Sequence, residues 1–493
     1  MFRSLRALTF VSAVFLAAAC GKKPEGGTAT PEEGSIGAAQ DAKIKKAKDE
    51  AKTATLIEQA NADLAKGRYV SARNKANEAL AVNPNDAHAY AVLGASHWRA
   101  GDFEASMKAY KEALELEKGN FGATIGLARC LQVLGDHKGA IEVIDALPAD
   151  SIKQLDALLS KLWSYYALAD ADKSVEMADE LFVKLGDDPI KPVIQAHAAF
   201  MRPLEGKGEL IKIEGERGTS SAGLDVDGGL KYTGAEIGGD FSQIVFFELR
   251  EEARIHTDLA KKLGLKPVGT YKPLGTDTDA NIVLVPEIKI GKLSLKNVPA
   301  VVEDLSPFAS IGDVPGMLVG RQIMNKLGSY TFDFPNSSFE ATAVAPTAPP
   351  TGGVEAPFLL IDMHLLLVPV TRISLDGSDF SFFAWLGGRY KAALAVTRRT
   401  WLKSGHLPRE LDQLDDPDAG LKMVYVEQLK IGDLAIKGLG SLVLAGNPPD
   451  PEISQIIDGT SFELGGYINL TMMKQWKLTF IPAAGKLFVT PRK

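Results

Sequence analysis

The sequence predicts a multidomain α + β chain, with an N-terminal solenoid of paired helices followed by two all-β lobes in tandem. Three observations predict it. A repeat of about 34 residues recurs between Thr53 and Asp188. After about Arg202 the helical period gives way to short Val/Ile/Leu/Phe runs separated by Gly and Asp turns. Within that second half, Lys289-Ile290-Gly291-x-Leu293-x-Leu295-Lys296 returns as Lys430-Ile431-Gly432-x-Leu434-x-Ile436-Lys437. A chain of 493 residues is too long for one core, so several domains are expected.

The first twenty residues read as an export signal. Arg3 and Arg6 give a positive start, and Ala7 to Ala19 form an apolar run too short to span a bilayer. The run closes as Leu16-Ala17-Ala18-Ala19-Cys20-Gly21, which resembles a bacterial lipoprotein signal, although the usual leucine stands one place early and Ala17 occupies its position. The resemblance implies that Cys20 is acylated and becomes the first mature residue. The protein is then exported and lipid-anchored, and Gly21 in place of aspartate fits forwarding to an outer membrane. Residues 21–52, poor in large apolar side chains, are expected to be a tether, with helix as an alternative near its end. No later run of 18 apolar residues occurs. With Cys20 lipidated, Cys130 has no disulfide partner, and its apolar helical setting predicts a buried, inert thiol.

The array is expected over residues 53–188. Its clearest copy runs from Ala87 to Asn120, with Tyr90, Leu93, Gly94, Trp98, Ser106, Tyr110 and Ala113 in phase. Ala60, Gly67, Tyr69, Ala72, Ala79 and Pro84 hold the same phases before it, and Ala128, Gly135, Ala140 and Leu147 after it; a worn fourth copy lies between Lys153 and Gly186. Apolar residues at i, i+3, i+4 and i+7 make one stripe per helix. Gly67, Gly101 and Gly135 fall where the first helix of each pair must stop in a left-handed cap, and Asp102 and Asp136 are placed to cap the next helix. No single pair can bury its stripe, so neighbours must stack. These features resemble the tetratricopeptide repeat family over about 130 residues. The resemblance implies a groove for an extended peptide or helix of a partner, with Asn61, Lys66, His97 and Arg129 as candidate partner-binding residues.

In the β half, a Pro/Ala/Thr-rich linker (341–357) separates a first lobe (205–340) from a second (358–493). Each lobe closes alike, with Tyr330-Thr331-Phe332-Asp333-Phe334-Pro335 matching Lys477-Leu478-Thr479-Phe480-Ile481-Pro482. Duplicated β units bury their open edges best against each other, so the lobes are expected to pair within the chain. Leu259-Ala260-Lys261-Lys262-Leu263-Gly264-Leu265, Val298-Pro299-Ala300-Val301-Val302 and Met317-Leu318-Val319-Gly320 complete a pattern that resembles the retropepsin-like aspartyl proteases. That family implies two lobes, each bringing an Asp-Thr-Gly to a shared cleft. Here the triplet falls on Phe247-Glu248-Leu249 in the first lobe and near Trp385-Leu386-Gly387 in the second. Neither holds aspartate. Aspartic proteolysis needs two facing carboxylates that share a proton, so the catalytic set is expected to be missing. Asp240, Asp376 and Asp379 lie in turns and Asp333 in a closing strand, where aspartate is ordinary.

Composition narrows the partners. A net charge of −7, with no basic stripe, argues against nucleic acid. The 7 histidines show no paired spacing and there is no CxxC, so neither a metal nor another cofactor is expected. Two functional classes remain: a membrane-anchored binding or scaffold protein with inactive protease-like lobes, or an envelope aspartic peptidase with displaced carboxylates. The missing triplets favour the first.

Overall fold

The computed structural model describes residues 33–225, 230–246, 250–273, 276–311, 313–362, 367–378, 381–385, 392–416, 420–444, 464–469 and 474–491. Cys20 therefore lies outside the described residues. The chain divides after Cys130 into two compact units.

The first unit holds helices α1 (Glu33–Ala65), α2 (Tyr69–Val82), α3 (Ala87–Arg99), α4 (Phe103–Leu116) and most of α5 (Phe121–Val133). α1 pairs with α2 and α3 with α4. Small residues make the close seams: Ala60, Ala72, Ala76 and Ala79 are fully buried. The local punctuation is as the spacing predicts. Gly67 and Gly101 adopt φ of +72° and +73°, and the Asp102 carboxylate accepts the Ala105 N–H at 3.2 Å. The end of the expected tether is helical, since α1 starts at Glu33 and runs unbroken into the array. Ala, Lys, Glu and Gln dominate that stretch, and good helix formers hold a helix even where no core lies beside it.

The second unit begins with the rest of the array. Helix α6 (His137–Asp145) is followed by the single turn α7 (Ala149–Ile152), then α8 (Leu155–Ala167), α9 (Ala171–Lys184) and α10 (Lys191–Met201). Gly135 is left-handed at +82° and Asp136 caps α6, its carboxylate accepting the Gly139 N–H at 2.9 Å. In the worn copy Ala169 takes the left-handed place (φ +53°) and Asp170 caps α9. Helix also continues beyond the expected end of the array at 188. α10 extends the helical region to Met201, and its Phe200 and Met201 are buried in the same core as the first β copy.

The first copy comprises β1 (Lys212–Glu214), β2 (Arg217–Asp225), β3 (Leu230–Ile237), β4 (Asp240–Phe246), β5 (Ala253–His256), α11 (Thr257–Lys262) and β6 (Pro267–Tyr271). The hairpin of β7 (Ala280–Ile290) and β8 (Leu293–Glu303) follows, then β9 (Met317–Val319), α12 (Arg321–Lys326), β10 (Ser329–Asp333) and β11 (Ser338–Thr342). After it come β12 (Val354–Pro357), β13 (Leu359–Asp362), β14 (Leu367–Leu375), β15 (Ser381–Trp385), β16 (Leu394–Thr397) and α13 (Arg398–Lys403). The hairpin of β17 (Leu421–Ile431) and β18 (Leu434–Leu444) precedes β19 (Leu464–Ile468), β20 (Trp476–Ile481) and β21 (Lys486–Pro491). The strand order β2-β3-β4-β9-β5-β8-β7 is repeated as β13-β14-β15-β19-β16-β18-β17, including the parallel β4–β9 and β15–β19 pairs. The duplication read from the hairpin motif and the closing segments thus extends to seven strands of the sheet.

One sheet holds strands from both copies. β10 pairs antiparallel with β20, and β11 and β21 flank them. Thr331 faces Thr479 at its centre, with the two hydroxyls 3.0 Å apart, and Tyr330 stacks on Phe480 at 4.8 Å. The expected linker ends earlier than its composition says. β12 is a strand, hydrogen-bonded along β21 from Val354 opposite Val489 to Pro357 opposite Lys486.

Candidate binding surface and the degenerate loops

Tyr110 organises the first unit's surface from within. Its ring lies between α3 and α5, so close to both that a Cβ on Gly94 would stand 2.7 Å from it and one on Gly126 only 2.1 Å. Ser106 donates to the Gly94 carbonyl at 2.8 Å and meets Cys130 Sγ at 3.5 Å. Burial pushes the Cys130 thiol up to about 12, as an inert structural cysteine requires, and raises the Tyr110 phenol as well.

Of the predicted partner-binding residues, Asn61, Lys66 and Arg129 are exposed. Arg129 does not stand alone. Arg99, at the end of α3, is partly buried close enough to Arg129 that its guanidinium is disfavoured first by burial and then by its neighbour's charge. Sequence reasoning missed Arg99, whose only signal is its place in the last turn of a first helix. His97 is placed differently. Its Nδ1 lies 3.5 Å from Asp102 Oδ2, and its pKa is lowered by burial against the opposing pull of Asp102. It braces the α3–α4 turn. Asp63, also unforeseen, is a buried hub that takes Lys75 at 2.6 Å, Ser71 at 2.7 Å and Arg68 at 2.6 Å; these contacts hold its carboxyl far below the usual range.

In the β half, Phe247, Glu248, Leu249, Leu386 and Gly387 lie outside the described residues, and Trp385 is the last residue of β15. What flanks the first loop is well defined. The carbonyls of Arg250 and Glu251 accept the N–H groups of Arg321 and Gln322 at 2.9 and 3.0 Å, so these two residues are clasped to the start of α12. Glu252 accepts a hydrogen bond from the buried Tyr166 hydroxyl of α8. Burial, reinforced by the Glu252 charge, lifts that phenol well above its ordinary value. Gln322 and Asn325 donate to the carbonyls of Tyr166 and Ala167 at 2.8 and 3.2 Å. The other aspartates have local partners. Asp240 pairs with Lys262 at 2.8 Å, Asp333 caps the turn at Asn336, and Asp376 takes His406 at 3.0 Å and the Gln428 N–H at 2.8 Å. Asp379 lies outside the described residues. Among the described residues no group of three His, Cys, Asp or Glu side chains could hold a metal ion.

Two family models described as tetratricopeptide repeat match residues 57–121 and 97–162. Heat shock protein STI1 of Saccharomyces cerevisiae is 40% identical over 60 residues, and the chain spans only 10% of the length of that relative. Among solved structures, MamA from Desulfovibrio magneticus is 19% identical, covering 31% of this chain and 84% of its own, with a TM-score of 0.27. A retropepsin-like aspartic protease from Rickettsia conorii is 19% identical, covering 27% of this chain and 95% of its own, with a TM-score of 0.20. Each is a likeness of part of the chain. The N-terminal part is thus a tetratricopeptide repeat array, and the C-terminal part an all-β region.

Proposed function

We propose that this protein is held at a bacterial envelope membrane by a lipid on Cys20 and binds a protein or peptide partner through its tetratricopeptide array. In this reading the β half is a pair of protease-like lobes, joined as a pseudo-dimer, that bind or scaffold without cleaving. The observation that carries partner binding is the match of two tetratricopeptide repeat models to residues 57–121 and 97–162, with Asn61, Lys66 and Arg129 exposed on those helices. The repeated seven-strand order and the β10–β20 pairing support the reading of the β half. Support for a non-cleaving role comes from the absence of Asp-Thr-Gly in both copies and from the local partners of Asp240, Asp333 and Asp376.

The test is a photo-crosslinking residue placed at Asn61 or Arg129 of the full chain in its native envelope. A discrete adduct is expected at one of the two positions, lost when Arg99 is replaced by Glu. Adducts at neither position, with crosslinking intact at a control site, would refute partner binding by this surface.

A further inference from the structure

The two β copies share a hairpin but not what covers it. β7–β8 and β17–β18 correspond residue for residue: Lys289 faces Ser294 as Lys430 faces Ala435, and Ile290 faces Leu293 as Ile431 faces Leu434. The outgoing strand turns through a left-handed residue at the same place, Asn297 (φ +56°) in one and Gly438 (φ +68°) in the other. In the first copy a further strand, β1, lies along that outgoing strand. Ile213 stands opposite Leu295 and Lys212 opposite Lys296, and the Ile211 N–H extends the pairing to the Asn297 carbonyl at 3.1 Å. Glu214 closes the contact with an ion pair to Lys296 at 2.6 Å.

Among the described residues the second copy has no such strand. β18 is paired along one edge by β17, and along the other by β16 and the Ala393 N–H only from Gly440 onward. Among the described residues no strand pairs with this second edge at Ala435–Lys437. Its surroundings keep the chemistry of a covered site. Leu293, Leu295 and Val298 are buried, whereas their counterparts Leu434, Ile436 and Leu439 are equally apolar and only half-buried. Lys437, the counterpart of Lys296, is exposed and has no carboxylate beside it among the described residues. An unpaired strand edge bordered by apolar side chains is a template for another strand.

We propose that this edge of β18 at Ala435–Lys437 docks an extended segment of a partner protein. That segment pairs antiparallel, sets an apolar residue opposite Ile436 and presents an acidic residue to Lys437, as β1 does in the first copy. The proposal rests on reading the β half as a binding module and is independent of the array surface.

A fluorescein-labelled peptide Glu-Leu-Ile-Lys-Ile-Glu-Gly-Glu-Arg, the sequence of residues 209–217, is titrated with the full chain and followed by anisotropy. Saturable binding is expected, weakened about tenfold by Lys437→Glu and unchanged by Arg129→Gln. Peptides N-methylated at alternate residues separate pairing from stickiness, since one phase should abolish binding and the other spare it. Absence of saturable binding overturns the proposal, as does equal binding by both methylated phases. A doubled mass in light scattering that Ile436→Asp abolishes would assign the edge to a second copy of this chain instead. Peptide binding indifferent to Lys437→Glu and Ile436→Asp would remove this site while leaving the β half a binding module.

Discussion

Gly122 and Gly126 sit one turn apart in α5, and replacing each by alanine should move stability in opposite directions. A Cβ at Gly122 has Asn120 Oδ1 as its nearest neighbour, 3.7 Å away, which is ordinary contact. The substitution therefore gains only helix propensity, about 0.5 kcal/mol so near the helix start. A Cβ at Gly126 would lie 2.1 Å from Tyr110 Cζ, against the roughly 3.5–4 Å that carbon pairs require. The ring, buried between two helices, would have to retreat by more than an ångström. Overpacking of this kind costs about 1–3 kcal/mol, which outweighs the propensity gain and leaves a net loss of about 2 kcal/mol. Gly94→Ala, at 2.7 Å from the ring, should cost about 1 kcal/mol, and Gly94→Leu far more. Urea denaturation of the full chain, read as helical ellipticity at 222 nm, measures each. The double variant Gly126→Ala/Tyr110→Leu should lose less than the sum of its parts. If Gly126→Ala proves as harmless as Gly122→Ala, Tyr110 does not occupy the gap between α3 and α5, and the repeat phase is wrong.

Three further outcomes are expected. Burial, with Arg321 nearby, pushes the His137 imidazole down to about 3; the unfolded chain then binds the extra proton, so stability is complete above about pH 6.5 and falls as pH drops towards 3. By pH 5 the loss is at most about 2 kcal/mol, and His137→Gln should flatten the difference in urea midpoint between pH 7 and 5. Cys20→Ser should release a folded protein from the membrane fraction, and retention after a salt wash would exclude a lipid on that residue. The full chain should show no acid-optimum cleavage of unfolded protein and no pepstatin binding, whereas pepstatin-sensitive cleavage abolished by Glu248→Gln would establish the peptidase reading.

What could be read from the sequence is what local chemistry decides. Glycines at the helix stops and aspartates one residue later are caps whatever lies around them, so Gly67, Gly101, Asp102 and Asp136 could be placed by spacing alone. The boundaries were not legible, because tertiary contacts set them. α10 carries no repeat signature, and only the β core explains its burial of Phe200 and Met201. Nothing in Val354–Pro357 announces a strand; it becomes one because β21 offers an edge. The start of α1 within the tether was not fixed by the sequence for a different reason. Lack of large apolar residues removes a core but not helix propensity. On the array, Arg129 was visible in the sequence as a cation, whereas the packing of α3 and α5 around the Tyr110 ring was not, because it depends on residues brought together from separate helices.

The bonds from Gln322 and Asn325 to the carbonyls that end α8 have a consequence for the order in which the protein can be made. Gln322 follows Tyr166 by 156 residues, so at synthesis rates of roughly 5–20 residues per second the last helices wait about 8–30 seconds for the strands that complete them. During that interval Tyr166, Phe200 and Met201 face the surroundings without their lids. If the chain is exported as proposed, the delay keeps its later repeats from locking before translocation, while a product truncated just after Leu204 would be left permanently with an adhesive end.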